Sequence, residues 1–417
     1  MSRGFLSFLL ALVIVFAPLP SAVAQALDRA PADEKSQSGR NAGASGSELL
    51  QQGRDLLAKG SAAEAVPLLR QAIEKNPADA DAHLLLGSAL ALIPRRSEAV
   101  AELALAIELR PDHAPAYNVL GMTLARFAEF DSAQKAFEKA IAIDPKLAGA
   151  HLNLALVFAQ KGEIARASRA VARAIELYGD TVSAAYPHYV AGRLYNQQNL
   201  PGRALQEFEA AIRLNPKFSE AFLELGSAKR KLSDEAGCID ALRKAVELAP
   251  ENAEARYRLG VEYLNRRQAA KAVEHLGAAY RLKPGDRGIL YNYSRALRLE
   301  GQEEQAKIIF RKLSETVSAT TKASQHLAEA ARLTNEGVAL EKQGDFRAAV
   351  EKYRAALELD PLEASVRRNL GLALCRAGRW SEGIAELQEA QRIDPNDAET
   401  TRALYIAREQ EAAAQGR

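Results

Sequence analysis

The chain has 417 residues, 48% of them hydrophobic and 26% charged, and a formal net charge of +2. That balance is ordinary for a soluble packed fold. It gives no global electrostatic reason to expect nucleic acid or an anionic membrane surface as a partner.

The first predicted element is not part of the fold. Arg3 precedes an apolar run from Phe5 to Ala17, followed by Pro18, Pro20 and Ala22-Val23-Ala24. This is the three-part form of a secretory signal peptide, so residues 1–24 are expected to be cleaved and the mature chain to begin at Gln25. A membrane anchor is the competing reading, but the run is shorter than the ~17–25 residues that span a bilayer. Residues 25–46 are rich in Ala, Ser, Gly, Asp and Lys, with almost no large apolar side chain, and read as a disordered linker.

From Gly53 to Pro395 one pattern recurs every 34 positions. Gly53, Gly87 and Gly121 keep that spacing, as do Gly192, Gly226 and Gly260, and then Gly337 and Gly371. Pro77, Pro111 and Pro145 share it with Pro216, Pro250 and Pro284, and with Pro361 and Pro395. A period of this size predicts a stack of small structural repeats. In the third, residues 114–147, Tyr117, Leu120, Gly121 and Leu124 lie on one face of a first helix, and Ala133, Phe137, Ala140 and Ile141 on one face of a second. Pro145 ends the second helix, since it lacks an amide donor and biases its predecessor away from helical geometry. Small residues at positions 8, 20 and 27 of each repeat allow helices to approach at the short end of the usual ~8–10 Å separation.

The columns that carry this pattern are a large residue at position 4, Leu-Gly at 7 and 8, Ala at 20, a bulky residue at 24, Ala at 27 and Pro at 32. On these residues the chain resembles the tetratricopeptide repeat (TPR) proteins, over residues 46–397 in ten repeats that begin at Gly46, Ala80, Ala114, Ala148, Ala185, Ser219, Ala253, Arg287, Ala330 and Ala364. Ala155 and Ser294 stand where glycine is expected, and Gly179 and Ser318 where proline is. The resemblance implies an all-α, right-handed α-solenoid of helix-turn-helix repeats. The expected organisation is a signal peptide (1–24), a linker (25–46), repeats one to eight (47–313), an insertion or hinge (314–329), repeats nine and ten (330–397) and a capping helix (398–417).

The period slips twice. Three extra residues near Tyr178-Gly179-Asp180-Thr181 predict a longer turn. Nine more precede repeat nine, where residues 314–321 (SETVSATT) read as loop and as a hinge, while residues 322–342 keep helical spacing and allow a longer first helix instead. In the tail, Ala398, Leu404, Ala407 and Gln410 predict an amphipathic helix covering the end of repeat ten.

Residues for catalysis do not gather. His83, His151 and His188 all stand at position 4, a packing column, and a zinc site needs three or four ligands within ~2.0–2.3 Å of one point. Cys238 and Cys375 read as packing residues. Phosphate-loop, dinucleotide, HExxH and GxSxG patterns are absent from the sequence. No catalytic residue, metal or cofactor is therefore assigned.

Binding residues are sought where the resemblance places a concave groove, at positions 2, 5, 6, 9, 12 and 13 of the first helices. Positions 5, 9, 12 and 13 hold Arg54, Arg126, Arg193, Arg230, Lys231, Arg295, Arg298, Lys342, Arg368 and Arg376, against a single acid, Glu341. This asymmetry points to a groove of positive potential, with Arg193, Arg295 and Arg298 foremost. Position 2 dilutes it with Asp81, Glu220 and Glu254. Tyr189, Tyr257 and Tyr291 at position 5 offer rigid amphipathic area, or pack between first helices. Asn292, Asn335 and Asn369 at position 6 resemble the short end of an asparagine ladder that holds a peptide backbone. The expected function is an exported, non-catalytic scaffold, periplasmic or secreted, that binds a segment of a partner protein, acidic if the basic columns line the groove. The alternative is an assembly factor for envelope polysaccharide or outer-membrane machinery. Nucleic acid is not expected, and a membrane only through partners or an uncleaved signal segment.

Overall fold

The structure, a computed structural model, describes residues 45–93, 95–395 and 397–415. The expected signal peptide (1–24) and residues 25–44 of the expected linker lie outside them. The described residues form twenty α-helices, one 3-10 turn and no strand. The pairs, in repeat order, begin with α1 (Gly46–Ala58) and α2 (Ala62–Lys75), α3 (Ala80–Leu92) and α4 (Arg96–Leu109), and α5 (Ala114–Arg126) and α6 (Phe130–Ile143). Next come α7 (Ala148–Gln160) and α8 (Ile164–Tyr178), α9 (Ala185–Gln197) and α10 (Pro201–Leu214), and α11 (Ser219–Lys231) and α12 (Glu235–Leu248). They continue with α13 (Ala253–Asn265) and α14 (Ala269–Leu282), α15 (Arg287–Leu299), α16 (Glu303–Lys342) and α17 (Phe346–Leu359). The last are α18 (Ala364–Arg376), α19 (Trp380–Ile393) and α20 (Ala398–Gln415). The described residues divide into two compact parts between Leu259 and Gly260, within α13. Each is an α-solenoid of stacked helix pairs.

Local chemistry sets the helix ends. Ser45 opens α1 with a capping box, its hydroxyl accepting from the Glu48 amide while the Glu48 carboxylate accepts from the Ser45 amide. Outside repeat two, each first helix stops at a left-handed residue, glycine at Gly60, Gly162, Gly301, Gly344 and Gly378 but Ala128 (φ 60°), Asn199, Ser233 and Arg267 elsewhere. The three-residue slip forms a 3-10 turn, Val182–Ala184, after Gly179 at φ 60°.

Packing within a repeat turns on positions 8 and 24. A Cβ on Gly121 would lie 2.6 Å from Phe137 Cε1, and one on Gly192 2.5 Å from Phe208 Cε1, so the absence of a side chain lets the ring sit against the opposing helix. Both rings are fully buried. Repeat four carries Ala155 and opposes it with the smaller Val171, 2% exposed. Repeat eight has Ser294 at position 8 and Phe310 at position 24, and there Phe310 is 50% exposed. Within the first part, consecutive first helices also touch directly: α1 with α3, α3 with α5, α5 with α7, and α9 with α11.

The loop expected at residues 314–321 is helical. The second helix of repeat eight and the first helix of repeat nine are one continuous helix, α16, of 40 residues. The hydroxyls of Thr316, Thr320 and Thr321 donate to the carbonyls of Lys312, Thr316 and Val317 at 2.8, 2.8 and 3.0 Å, so these three threonines are satisfied inside the helix. No proline interrupts residues 302–343, and their one glycine, Gly337, is the packing residue at position 8.

Repeat nine consequently starts a stack of its own. Position 3 faces the preceding repeat and is a buried alanine at Ala82, Ala116, Ala150, Ala221 and Ala255. In repeat one, the first of the described repeats, positions 3, 7 and 10 are the exposed Glu48, Gln52 and Asp55. In repeat nine they are Arg332, Glu336 and Ala339, with Arg332 paired to Glu329 at 2.6 Å and to Glu336. At the other end α20 packs Ala403, Leu404 and Ala407 against Cys375 and Leu387. Both cysteines are buried and free, and burial raises the Cys375 thiol pKa.

Candidate peptide-binding face

The first helices present positions 5, 9 and 12 toward the following repeat, and the next first helix normally covers them. Leu84, Ser88 and Ala91 of α3 are at most 3% exposed, as are Asn118, Met122 and Ala125 of α5. Leu84 packs with Ala116 and Val119 of the next first helix. Asn153, an isolated position-6 asparagine in the sequence, donates to Asn118 at 3.1 Å, and both are buried.

Several of the basic residues are engaged in the fold. Those at position 13 reach back to the end of the previous first helix. Arg126 donates to the Ala91 carbonyl at 2.9 Å and Lys231 to the Asn196 carbonyl at 3.2 Å, while Arg376 pairs with Glu341 at 3.3 Å. A cation at those orphan carbonyls completes the helix end and opposes its partial negative charge. Arg368 lies 2.6 Å from Asp397 and 3.0 Å from Glu399. The Thr400 hydroxyl, Arg368 and the Glu399 amide hold the Asp397 carboxyl down at about 2. The positive columns thus overstate the free charge on the first helices.

Around α9 the structure brings aromatic candidates together. Tyr189 packs against Phe218 at 5.0 Å, Tyr186 at 5.9 Å and Phe208 at 6.1 Å, and the Arg193 guanidinium lies 5.7 Å from the centre of the Tyr189 ring. Burial pushes Tyr186 up to about 12 and raises Tyr189 as well, with Glu224 and Glu220 adding to the latter. Both rings stay half-buried, so packing accounts for much of this cluster. Tyr257 on α13 is also half-buried.

On α15 the outcome is different. Tyr291 is 49% exposed, and Arg295 lies 5.5 Å from the centre of its ring. Arg295 donates to Asn292 Oδ1 at 3.2 Å, and Asn292 Nδ2 donates to the Gly288 carbonyl at 3.0 Å. Arg298 is exposed, and among the described residues no carboxylate pairs with Arg295 or Arg298. Of the remaining asparagines, Asn335 is exposed on α16 beside a cavity of about 370 Å³ shared with Leu327, Thr334 and Asp360, and Asn369 is half-buried on α18.

The position-4 histidines form a structural clasp. His83 Nδ1 is 2.6 Å from Glu102 and its Nε2 3.1 Å from the Pro77 carbonyl, which ties the second helix and the preceding turn to the first helix. His188 repeats the first contact with Glu207 at 2.7 Å, His151 the second with the Pro145 carbonyl at 3.1 Å, and Arg367 makes both, with Glu386 and Pro361. Among the described residues no group of three or more His, Cys, Asp or Glu could hold a metal ion, and no helix is long and apolar enough to cross a membrane.

Comparison with known proteins gives the same repeat. Solved structures similar to the chain include YrrB, a TPR protein described as having an unusual peptide-binding site, at 23% identity over 45% of this chain and 96% of that one, with a TM-score of 0.38. Another is TTC0263, a TPR protein from Thermus thermophilus, at 22% identity over 44% and 98%, with a TM-score of 0.39. The C-terminal part of a TPR protein from Cytophaga hutchinsonii aligns at 15% identity over 58% and 98%, with a TM-score of 0.44. The family profile described as tetratricopeptide repeat matches residues 50–114, 118–187, 189–253, 238–287 and 334–398. With most of its length so matched, the chain belongs to the tetratricopeptide repeat family.

Proposed function

We propose that this protein is an exported, non-catalytic scaffold that holds an acidic segment of another protein against its first helices, with α15 as the principal contact. TPR repeats are protein-interaction scaffolds, and a repeat fold supplies a surface while its exposed residues decide what binds. The observation that carries the reading is the set Tyr291, Arg295 and Arg298: an exposed ring beside two guanidinium groups without carboxylate partners among the described residues. Arginine beside tyrosine is a composition enriched in binding hot spots, and unpaired exposed cations attract carboxylates over about a Debye length. Arg193 with Tyr189, and Tyr257, are candidate contacts on the first helices of the first part, taken by itself.

An acidic peptide of Asp, Glu and Leu titrated into the purified chain should bind more weakly as salt rises, and Arg295→Glu with Arg298→Glu should remove the binding. Unchanged affinity in that double variant refutes the assignment. Export is tested by N-terminal sequencing of the protein from its own cells. A start at Gln25 supports it and a retained Met1 refutes cleavage.

A further inference from the structure

At every other junction whose packing is described, the groove formed by a repeat's two helices is closed by the helix that follows. α3 packs on α2, α5 on α4, α7 on α6, α9 on α8 and α11 on α10, and in the second part α15 on α14, α18 on α17 and α20 on α19. Among the described residues repeat eight has no such cover, because the helix that should fold back continues along the axis of α16. The consequence is written in the position-24 column. Leu69, Leu103, Phe137, Phe208 and Leu276 are fully buried there, whereas Phe310 is 50% exposed. Val317, two turns further along the same face of α16, is 41% exposed, and Leu313 between them is only half-buried. Tyr291 and Arg298 of α15, the first helix of the same repeat, are exposed as well.

We infer that the open end of repeat eight is a docking groove for an amphipathic helix of a partner protein, seated where a first helix would otherwise stack. The occupant's chemistry follows from the helices that close the equivalent grooves. They bring a small residue at position 3, as Ala116, Ala150 and Ala221 do, and a large apolar one at position 7, as Leu154 and Leu225 do. Repeat nine's own helix cannot fill the groove, since it carries Arg332 and Glu336 at those positions. The rim adds acidic flanks, opposite Arg295 and Arg298. That charge preference rests on the function proposed above, whereas the helical seat rests on Phe310 and Val317 alone.

The test uses the purified chain and a labelled synthetic helix with alanine at its third and tenth positions, leucine at its seventh and glutamate along both flanks, beside a scrambled peptide of the same composition. Fluorescence anisotropy should show binding of the ordered peptide and not of the scrambled one. Phe310→Ser should weaken it by about tenfold, as should Val317→Ser. Phe310 is half in solvent already, so circular dichroism should show both variants folded. Loss of binding in these variants with no effect of Arg295→Glu and Arg298→Glu would retain the groove and refute the acidic-partner reading. Loss in the arginine variants alone would overturn the groove. Equal binding of ordered and scrambled peptides would overturn it too, as would a dimer in solution that shields α15 and Phe310 from hydrogen exchange.

Discussion

Gly192→Ala probes the contact that sets the spacing inside each repeat. The new Cβ would stand 2.5 Å from Phe208 Cε1, with Cδ1 at 2.7 Å and Cζ at 2.9 Å, so the fully buried ring must move by about an ångström to regain ordinary contact. Overpacking of this size costs ~1–3 kcal/mol, offset by the ~1 kcal/mol that alanine gains over glycine inside a helix. A net loss of about 1 kcal/mol follows. Phe208→Val recreates the pairing of Ala155 with Val171 in repeat four, where the smaller partner leaves room for a methyl group. In that background Gly192→Ala should become stabilising by up to ~1 kcal/mol, a coupling of about 2 kcal/mol across the double-mutant cycle. Urea unfolding followed by circular dichroism gives the four stabilities, with equal slopes as the check that cooperativity in a repeat array is preserved. Equal effects of Gly192→Ala in the two backgrounds, or a gain in the wild-type background, would refute the close-contact account.

Ala128 ends α5 at φ 60°, where a Cβ is strained, so Ala128→Gly should raise stability by ~0.5–1 kcal/mol in thermal melts. Ala221→Arg places at a fully buried position 3 the residue that repeat nine has there. It should cost ~3 kcal/mol or more and split unfolding into two transitions seen by different probes. Asp397 caps α20 with its pKa lowered to about 2, so its contribution is complete above its ordinary value of 3.8 and is lost as pH falls through about 2. Hydrogen exchange of the α20 amides across that window should show protection falling, and Asp397→Ala should remove ~1 kcal/mol at neutral pH.

Most of the architecture is legible because each repeat states it again. The helices begin at the residues marked as repeat starts, except Ala330, which lies within α16. Residues 314–321 misled because Ser and Thr favour loops by competing for backbone partners, a competition that fails when their hydroxyls can return to carbonyls one turn back. A better signal was present at positions 3, 7 and 10. Arg332 and Glu336 match the polar end of repeat one and not the buried alanine and leucine of the interior repeats. The basic columns were less readable, since a count of charges treats Arg295 and Arg126 alike. Both are exposed, but Arg295 bonds to Asn292 of its own helix whereas Arg126 is bonded to the carbonyl at the end of the preceding first helix. Position 13 would have warned of this, because a side chain at a helix terminus lies one turn from its neighbour's unpaired carbonyls.

The continuous helix α16 also turns length into angle. Side chains from Val317 to Thr321 and from Ser324 to Ala328 are exposed, so over that stretch the helix alone fixes how repeats nine and ten are oriented about its axis. Each residue carries a rotation of about 100° and a rise of about 1.5 Å. Removing one residue near Thr320 would swing the downstream repeats by more than a quarter turn. Removing four would bring them within about 40° of their original bearing and about 6 Å closer to repeat eight. A chain built this way can retune the direction of its last repeats by insertion or deletion without altering a single packing contact.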